Sequence, residues 1–286
     1  MDLQEVGTIA GIIGAVAAVL SVPFLTRRNL QKNHAKAVVD RFLYLFKAHG
    51  IERTQIPRFL GDDFGLTVAD VSTDGKLLHI LDEKILDAVC ERFGVRRGWI
   101  DGVDNQVYDL FYHYNELSEY SRFIKNLTEK HPDQFCILYA YKPDHTSSDL
   151  FNSRPDISLV FAEPITEIDQ KIVYRYYPIC GPFDWCDTLI RYNLYAFFTL
   201  AYATSRLVLK GHDVSVKHIT ELSEGKIISE AMKFQGLWHP EDYAFSSISH
   251  ELPMKPQEIR EFWKFVVAKG WLELFNEDII TRPQIR

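Results

Sequence analysis

A chain of 286 residues with a formal net charge of −7 does not coat nucleic acid through bulk electrostatics, because its surplus carboxylates repel a polyanion. A hydrophobic content of 47%, with 13% aromatic residues, is enough for real cores, and the length sets one large domain or two ordinary ones. Four scattered cysteines (Cys90, Cys136, Cys180, Cys186) without a CxxC pair suit free thiols in a reducing compartment.

Val6 to Leu25 reads VGTIAGIIGAVAAVLSVPFL, without a charge and closed by Arg27 and Arg28. At about 1.5 Å per residue such a helix covers the ~30 Å core of a bilayer, so the run predicts one transmembrane helix. A secretory signal would carry its basic residues ahead of the apolar run, a soluble core helix is shorter, and an amphipathic anchor needs a polar face. Arg27, Arg28, Lys32 and Lys36 follow the run and none precedes it. The positive-inside rule then predicts a single-pass protein of the inner (cytoplasmic) membrane, with the N-terminus outside and the body in the cytoplasm. Those same residues would snorkel to lipid headgroups. Gly7, Ala10, Gly11, Gly14 and Ala18 form a small-residue face through which two such helices would pack into a homo-oligomer.

From Asn29 to about Gly102 the pattern predicts a small all-helical domain. Asn33 to Ala48 places Ala37, Val38, Phe42, Leu45 and Phe46 on one face and stops at Gly50. Arg53–Leu60, Thr67–Ser72, Leu77–Phe93 and a turn at Arg97–Gly102 follow, divided by glycine or acidic residues. The stretches HGIERTQIPRFL, LTVADV and LDAVCERFGVRRGWIDG together resemble the phage-repressor (XRE-type) class of helix-turn-helix domain. The resemblance covers about a quarter of the chain and rests on Gln55, Phe93-Gly94-Val95 and Trp99-Ile100-Asp101-Gly102. It implies that Thr67–Ser72 is a reading helix for DNA. Pro57 departs from the pattern, as does the long turn that follows it. Asp62, Asp63, Asp70 and Asp74 surround the reading segment, with no cation until Lys76, whereas groove-reading helices carry Arg, Lys, Asn or Gln. The block therefore predicts a protein-contact module, with DNA reading as the alternative.

Residues 103–134 read as a helical connector, with Gln106 to Asn126 carrying aromatic residues at helical spacing. The period then changes. Phe135–Tyr141, Ile157–Ala162 and Lys171–Tyr177 predict three antiparallel strands. A long helix capped by Asp184 or Asp187 should run to about Leu209 and stop at Gly211, followed by a strand or turn near Val214–Ile219. Pro256–Lys269 predicts a last helix ended by Gly270. The expected class is α+β over 135–286, an antiparallel sheet backed by a long helix.

No catalytic, metal-binding or cofactor motif is present: there is no HExxH, no zinc-spaced His/Cys set, no phosphate-cradling loop and no GxSxG. Cys180 and Cys186, six apart around GPFDW, read as unpaired structural thiols rather than as a redox pair. Trp238, His239, Glu241, Asp242 and Tyr243 form the densest polar-aromatic cluster. They read either as one wall of a ligand or partner site or as a loop pinned by a buried Trp. Arg175, Arg191 and Arg206 would pair an anionic ligand, or simply Glu163 and Asp187. The resulting expectation is a membrane-anchored sensor or effector of a prokaryote, of the kind used in stress or phage-defence signalling. It would have a protein partner or small ligand at the C-terminal domain. The alternative is a membrane-tethered helix-turn-helix regulator on DNA.

Overall fold

The computed structural model describes residues 35–111, 116–144, 156–179, 181–228, 236–243 and 256–275. Residues 35–48 are helical (α1) and bury Val39, Phe42, Leu45 and Phe46 on one face. A single 3-10 turn over Arg53–Gln55 leads into α2, Ile56–Leu60. Pro57 sits in its first turn, where a missing N–H costs nothing, so it starts this helix rather than breaking it. Helices α3 (Asp74–Ile80), α4 (Glu83–Phe93) and α5 (Arg97–Ile100) complete the block. The Leu77–Phe93 run divides in two because Asp82 caps α4, accepting from the Ile85 N–H at 2.8 Å. Phe46 meets Phe59 and Phe93 edge-on at 5.3 Å, and Phe59 stacks on Phe93 at 4.9 Å. Contacts of this kind are worth about 1 kcal/mol each beyond area burial.

Residues 67–72, expected as a helix, form turns. The Asp70 carboxylate accepts the Thr67 N–H at 2.9 Å and the Thr67 hydroxyl at 2.6 Å. Such local bonding offers the backbone an alternative to helix. The connector also differs from its expected form. Residues 106–111 are not helical; Tyr108 bridges Val95 and Phe111 bridges Ile179. Helix α6 begins only at Leu117, spans Leu117–Lys130 and buries Leu117, Tyr120, Ile124 and Leu127.

The strands are β1 (Cys136–Pro143), β2 (Asp156–Ile168), β3 (Lys171–Pro178), β4 (Phe183–Asp184), β5 (Leu207–Val214) and β6 (Gly236–Trp238). Their order is β3-β2-β1-β5-β6, with β4 paired to β2. The first three run antiparallel, but β5 lies parallel to β1, so the sheet is mixed rather than antiparallel. The cause is α7, Thr188–Ala203, which crosses the sheet before β5. Asp187 caps it, accepting from Leu189 and Ile190. It ends six residues short of Leu209, because Thr204 is extended and Arg206 (φ 66°) turns the chain into β5. Gly211 therefore stops no helix. It lets β6 approach, since a Cβ there would lie 2.3 Å from the Trp238 carbonyl oxygen. Helices α8 (Val216–Ser223) and α9 (Pro256–Ala268) follow β5 and β6.

Strand alternation splits the interior into two cores. Ile137, Tyr141, Val160, Val173 and Tyr176 pack with α1–α5 and α8. Leu138, Ala140, Leu159 and Phe161 pack with α6, α7 and α9.

The membrane expectation is corrected. Among the described residues no helix is long and apolar enough to cross a membrane. The most apolar of them, α7, has 16 residues, about 24 Å at helical rise, and buries Tyr192 to Ala201 inside the protein. The run Val6–Leu25 lies outside the described residues, as do its small-residue positions Gly7, Ala10, Gly11, Gly14 and Ala18 and its flanking Arg27, Arg28 and Lys32. Lys36 is exposed on α1. A single-pass inner-membrane placement with the N-terminus outside is thus not supported.

Candidate functional site

Strand β2 is buried without interruption from Ile157 to Pro164, and inside that run stands a carboxylate, Glu163. A charge taken out of water needs partners, and Glu163 has three. Tyr177 on β3 donates its hydroxyl to Oε2. His131, at the C-terminal end of α6, places Nε2 3.0 Å from Oε1. The Lys130 ammonium lies 3.6 Å from the same oxygen. Register explains the Tyr177 contact: Phe161 pairs with Tyr177 and Glu163 with Arg175, so all four start from one sheet face. Burial pushes the Glu163 carboxyl up, but the Tyr177 and His131 hydrogen bonds and the Lys130 charge outweigh it and leave it below the usual range. Burial, then the Glu163 hydrogen bond, raises the Tyr177 phenol. Burial pushes the Cys136 thiol up to about 11, with Glu163 adding to it, so at neutral pH it is a thiol and a poor nucleophile.

Outside this network a groove of about 480 Å³ opens between α6 and β3, lined by Phe123, Asn126, Leu127, Glu129, Lys130 and Tyr177. It is a shallow groove open to solvent rather than an enclosed cavity. Phe123 and Tyr177 meet edge-to-face at 5.3 Å and form an apolar wall with Leu127. Glu129 is countered by Lys125, 3.8 Å away one helical turn earlier.

Arg175 lies over Tyr177, its guanidinium 5.0 Å from the ring centroid. The same guanidinium donates to the Glu91 carbonyl of α4 at 2.8 Å. The wall of the groove is thereby tied to the helical block through one side chain. Arg191 pairs instead with Glu258 (3.2 Å) and the Trp185 carbonyl (2.9 Å).

The sequence-predicted cluster at 238–243 is divided. Trp238 donates Nε1–H to the Ala140 carbonyl at 3.1 Å and meets Phe198 edge-on at 5.9 Å. Tyr243 packs on Trp185 at 5.1 Å and stacks on Tyr195 at 5.9 Å. These two rings pin the loop. His239 is exposed, with Nδ1 2.9 Å from Glu241, whose hydrogen bond raises the imidazole pKa, and Asp242 is half-buried beside them. Cys180 lies outside the described residues, and Cys186 is exposed as a free thiol. Among the described residues no group of three or more His, Cys, Asp or Glu is placed to hold a metal ion.

The arginines of the helical block are engaged by the protein's own carboxylates and carbonyls. Arg53 pairs with Asp74 at 2.8 Å, Arg96 with Asp104 and Asp109 at 2.8 Å, and Arg97 with Glu83, Asp87 and Asp101. Arg92 caps the end of α2 through the Phe59 and Leu60 carbonyls. Gln55 and Arg58 grip the two oxygens of Asp169, at the tip of the β2–β3 hairpin, at 2.7 and 2.8 Å.

Sequence reasoning named Glu163 only as a partner for an arginine, and it missed His131, Lys130 and Tyr177. The available signal was one carboxylate inside the strand run ISLVFAEPI, where its neighbours are apolar. Comparison with family models, with curated proteins and with solved structures gives no match.

Proposed function

We propose that this chain is a recognition protein: a small ligand occupies the groove between α6 and β3, and the helical block passes the event to a protein partner. The observation that carries this reading is Arg175, whose guanidinium covers the Tyr177 wall of the groove and bonds the α4 backbone at once. A ligand pressed on Tyr177 changes the seat of Arg175 and so the end of α4. The buried Glu163 network makes that wall stiff, because Tyr177 is held at its hydroxyl. Against DNA reading weigh the turns at 67–72, the arginines paired with the chain's own surface carboxylates, and the occupation of Gln55 and Arg58 by Asp169.

The test is a fragment screen by ligand-observed NMR on the full chain, repeated on Asn126→Trp, which fills the groove from an exposed rim position. Binders that vanish in the variant, and that alter amide exchange within Glu83–Phe93, support the reading. Binders indifferent to Asn126→Trp, or groove binders that leave α4 exchange unchanged, refute it.

A further inference from the structure

We infer that the groove takes a small aromatic monocarboxylate, a ligand class that rests on the groove reading above. The sign of the charge follows from what is already occupied. The two features that would attract a cation are the Tyr177 ring and the Glu163 carboxylate. Arg175 sits over the first at 5.0 Å, and the second is held by Lys130, His131 and Tyr177. The remaining rim carboxylate, Glu129, is exposed and drawn in part toward Lys125 at 3.8 Å, away along α6. The cation that lines the groove itself is Lys130, and an incoming ammonium must approach it.

An incoming carboxylate meets the opposite. Lys130 has three N–H donors, its side chain is 62% exposed, and it touches Glu163 only at 3.6 Å, so it can turn to a ligand without abandoning a tight bond. The Asn126 carboxamide lines the groove on the same helix, one turn before Lys130, and supplies a second donor. Phe123, Leu127 and Tyr177 provide an apolar wall for a ring. One charged end against Lys130 and Asn126, with a flat apolar body against Phe123 and Tyr177, is the chemistry of an arylalkanoate.

The experiment titrates phenylacetate, benzyl alcohol and benzylamine into the full chain, followed by saturation-transfer NMR and calorimetry. Phenylacetate should bind best, and Lys130→Gln should weaken it about tenfold, the usual worth of one charge-assisted hydrogen bond, while leaving benzyl alcohol unchanged. Asn126→Asp should weaken phenylacetate and spare benzylamine. Benzylamine binding best would overturn the inferred charge while the groove reading stood. Benzyl alcohol binding as well as phenylacetate, with Lys130→Gln silent, would overturn it equally. Failure of all three probes to bind would remove both the ligand class and the groove as a small-molecule site.

Discussion

His49 sets a pH limit on this fold. It is buried at the end of α1, between Phe93 at 4.3 Å and Tyr176 at 5.5 Å, where the helical block meets β3. Nδ1 lies 2.7 Å from the Leu45 carbonyl and donates to it, while Nε2 has no hydrogen-bond partner. Protonation would bury a second N–H with no acceptor, next to the Lys171 charge. Burial is the main reason the imidazole pKa falls from 6.5 to about 4. The unfolded chain therefore binds this proton first, and stability rises with pH between those two values. Lowering the pH from about 7 to about 4.5 should cost roughly 2.5 kcal/mol through this one group, from the linkage relation. His49→Gln, which keeps a donor but cannot titrate, should show a shallower slope by that amount. Urea midpoints of both proteins across the range measure it. Equal slopes would show that His49 is not a buried neutral imidazole.

Two further substitutions probe the other layers. Glu163→Gln should destabilise the protein by about 1–3 kcal/mol at neutral pH, by removing the charge that His131 and Lys130 face. Because the folded carboxyl is depressed, its contribution exists above the unfolded value and is lost as pH falls through the folded one. The penalty should therefore fade in acid, and a penalty unchanged in acid would sink the assignment. Gly211→Ala should cost about 2 kcal/mol or more, since its Cβ would lie 2.3 Å from the backbone oxygen of Trp238. A thermal midpoint equal to that of the parent would show that β6 does not pair with β5 there.

Local chemistry made much of the fold legible. The apolar spacing of α1, the strands β1 to β3 and the Asp187 cap are each written in neighbouring residues. Part of what failed was non-local. Leu207–Leu209 reads as a continuation of α7, and only the turn at Thr204 and Arg206 with the vacant place beside β1 makes it a strand. Thr67–Ser72 reads as helix by analogy with a repressor pattern, yet the Thr67–Asp70 bonds close it into turns. The Trp238 cluster drew attention by density, but density of rings marks packing as readily as recognition. The groove is assembled from α6 and β3, so no window of sequence contains it.

Strand β3 carries the two halves of this structure on its two faces. Tyr176 points into the core shared with α1 and α4, where it meets His49. Tyr177, the next residue, points the other way, to Glu163 and the groove. Period-two alternation makes this separation unavoidable for adjacent residues of a strand. Arg175 starts on the Tyr177 face, yet β3 ends the strand order and its side chain reaches the Glu91 carbonyl of α4. An edge position is what permits such reach, because a central strand would have a neighbour in the way. A close-packed interior transmits displacement rather than absorbing it. Any movement of β3 that accommodates a guest against Tyr177 must then be met at Tyr176 and at α4, by the His49 ring and by the Arg175 hydrogen bond.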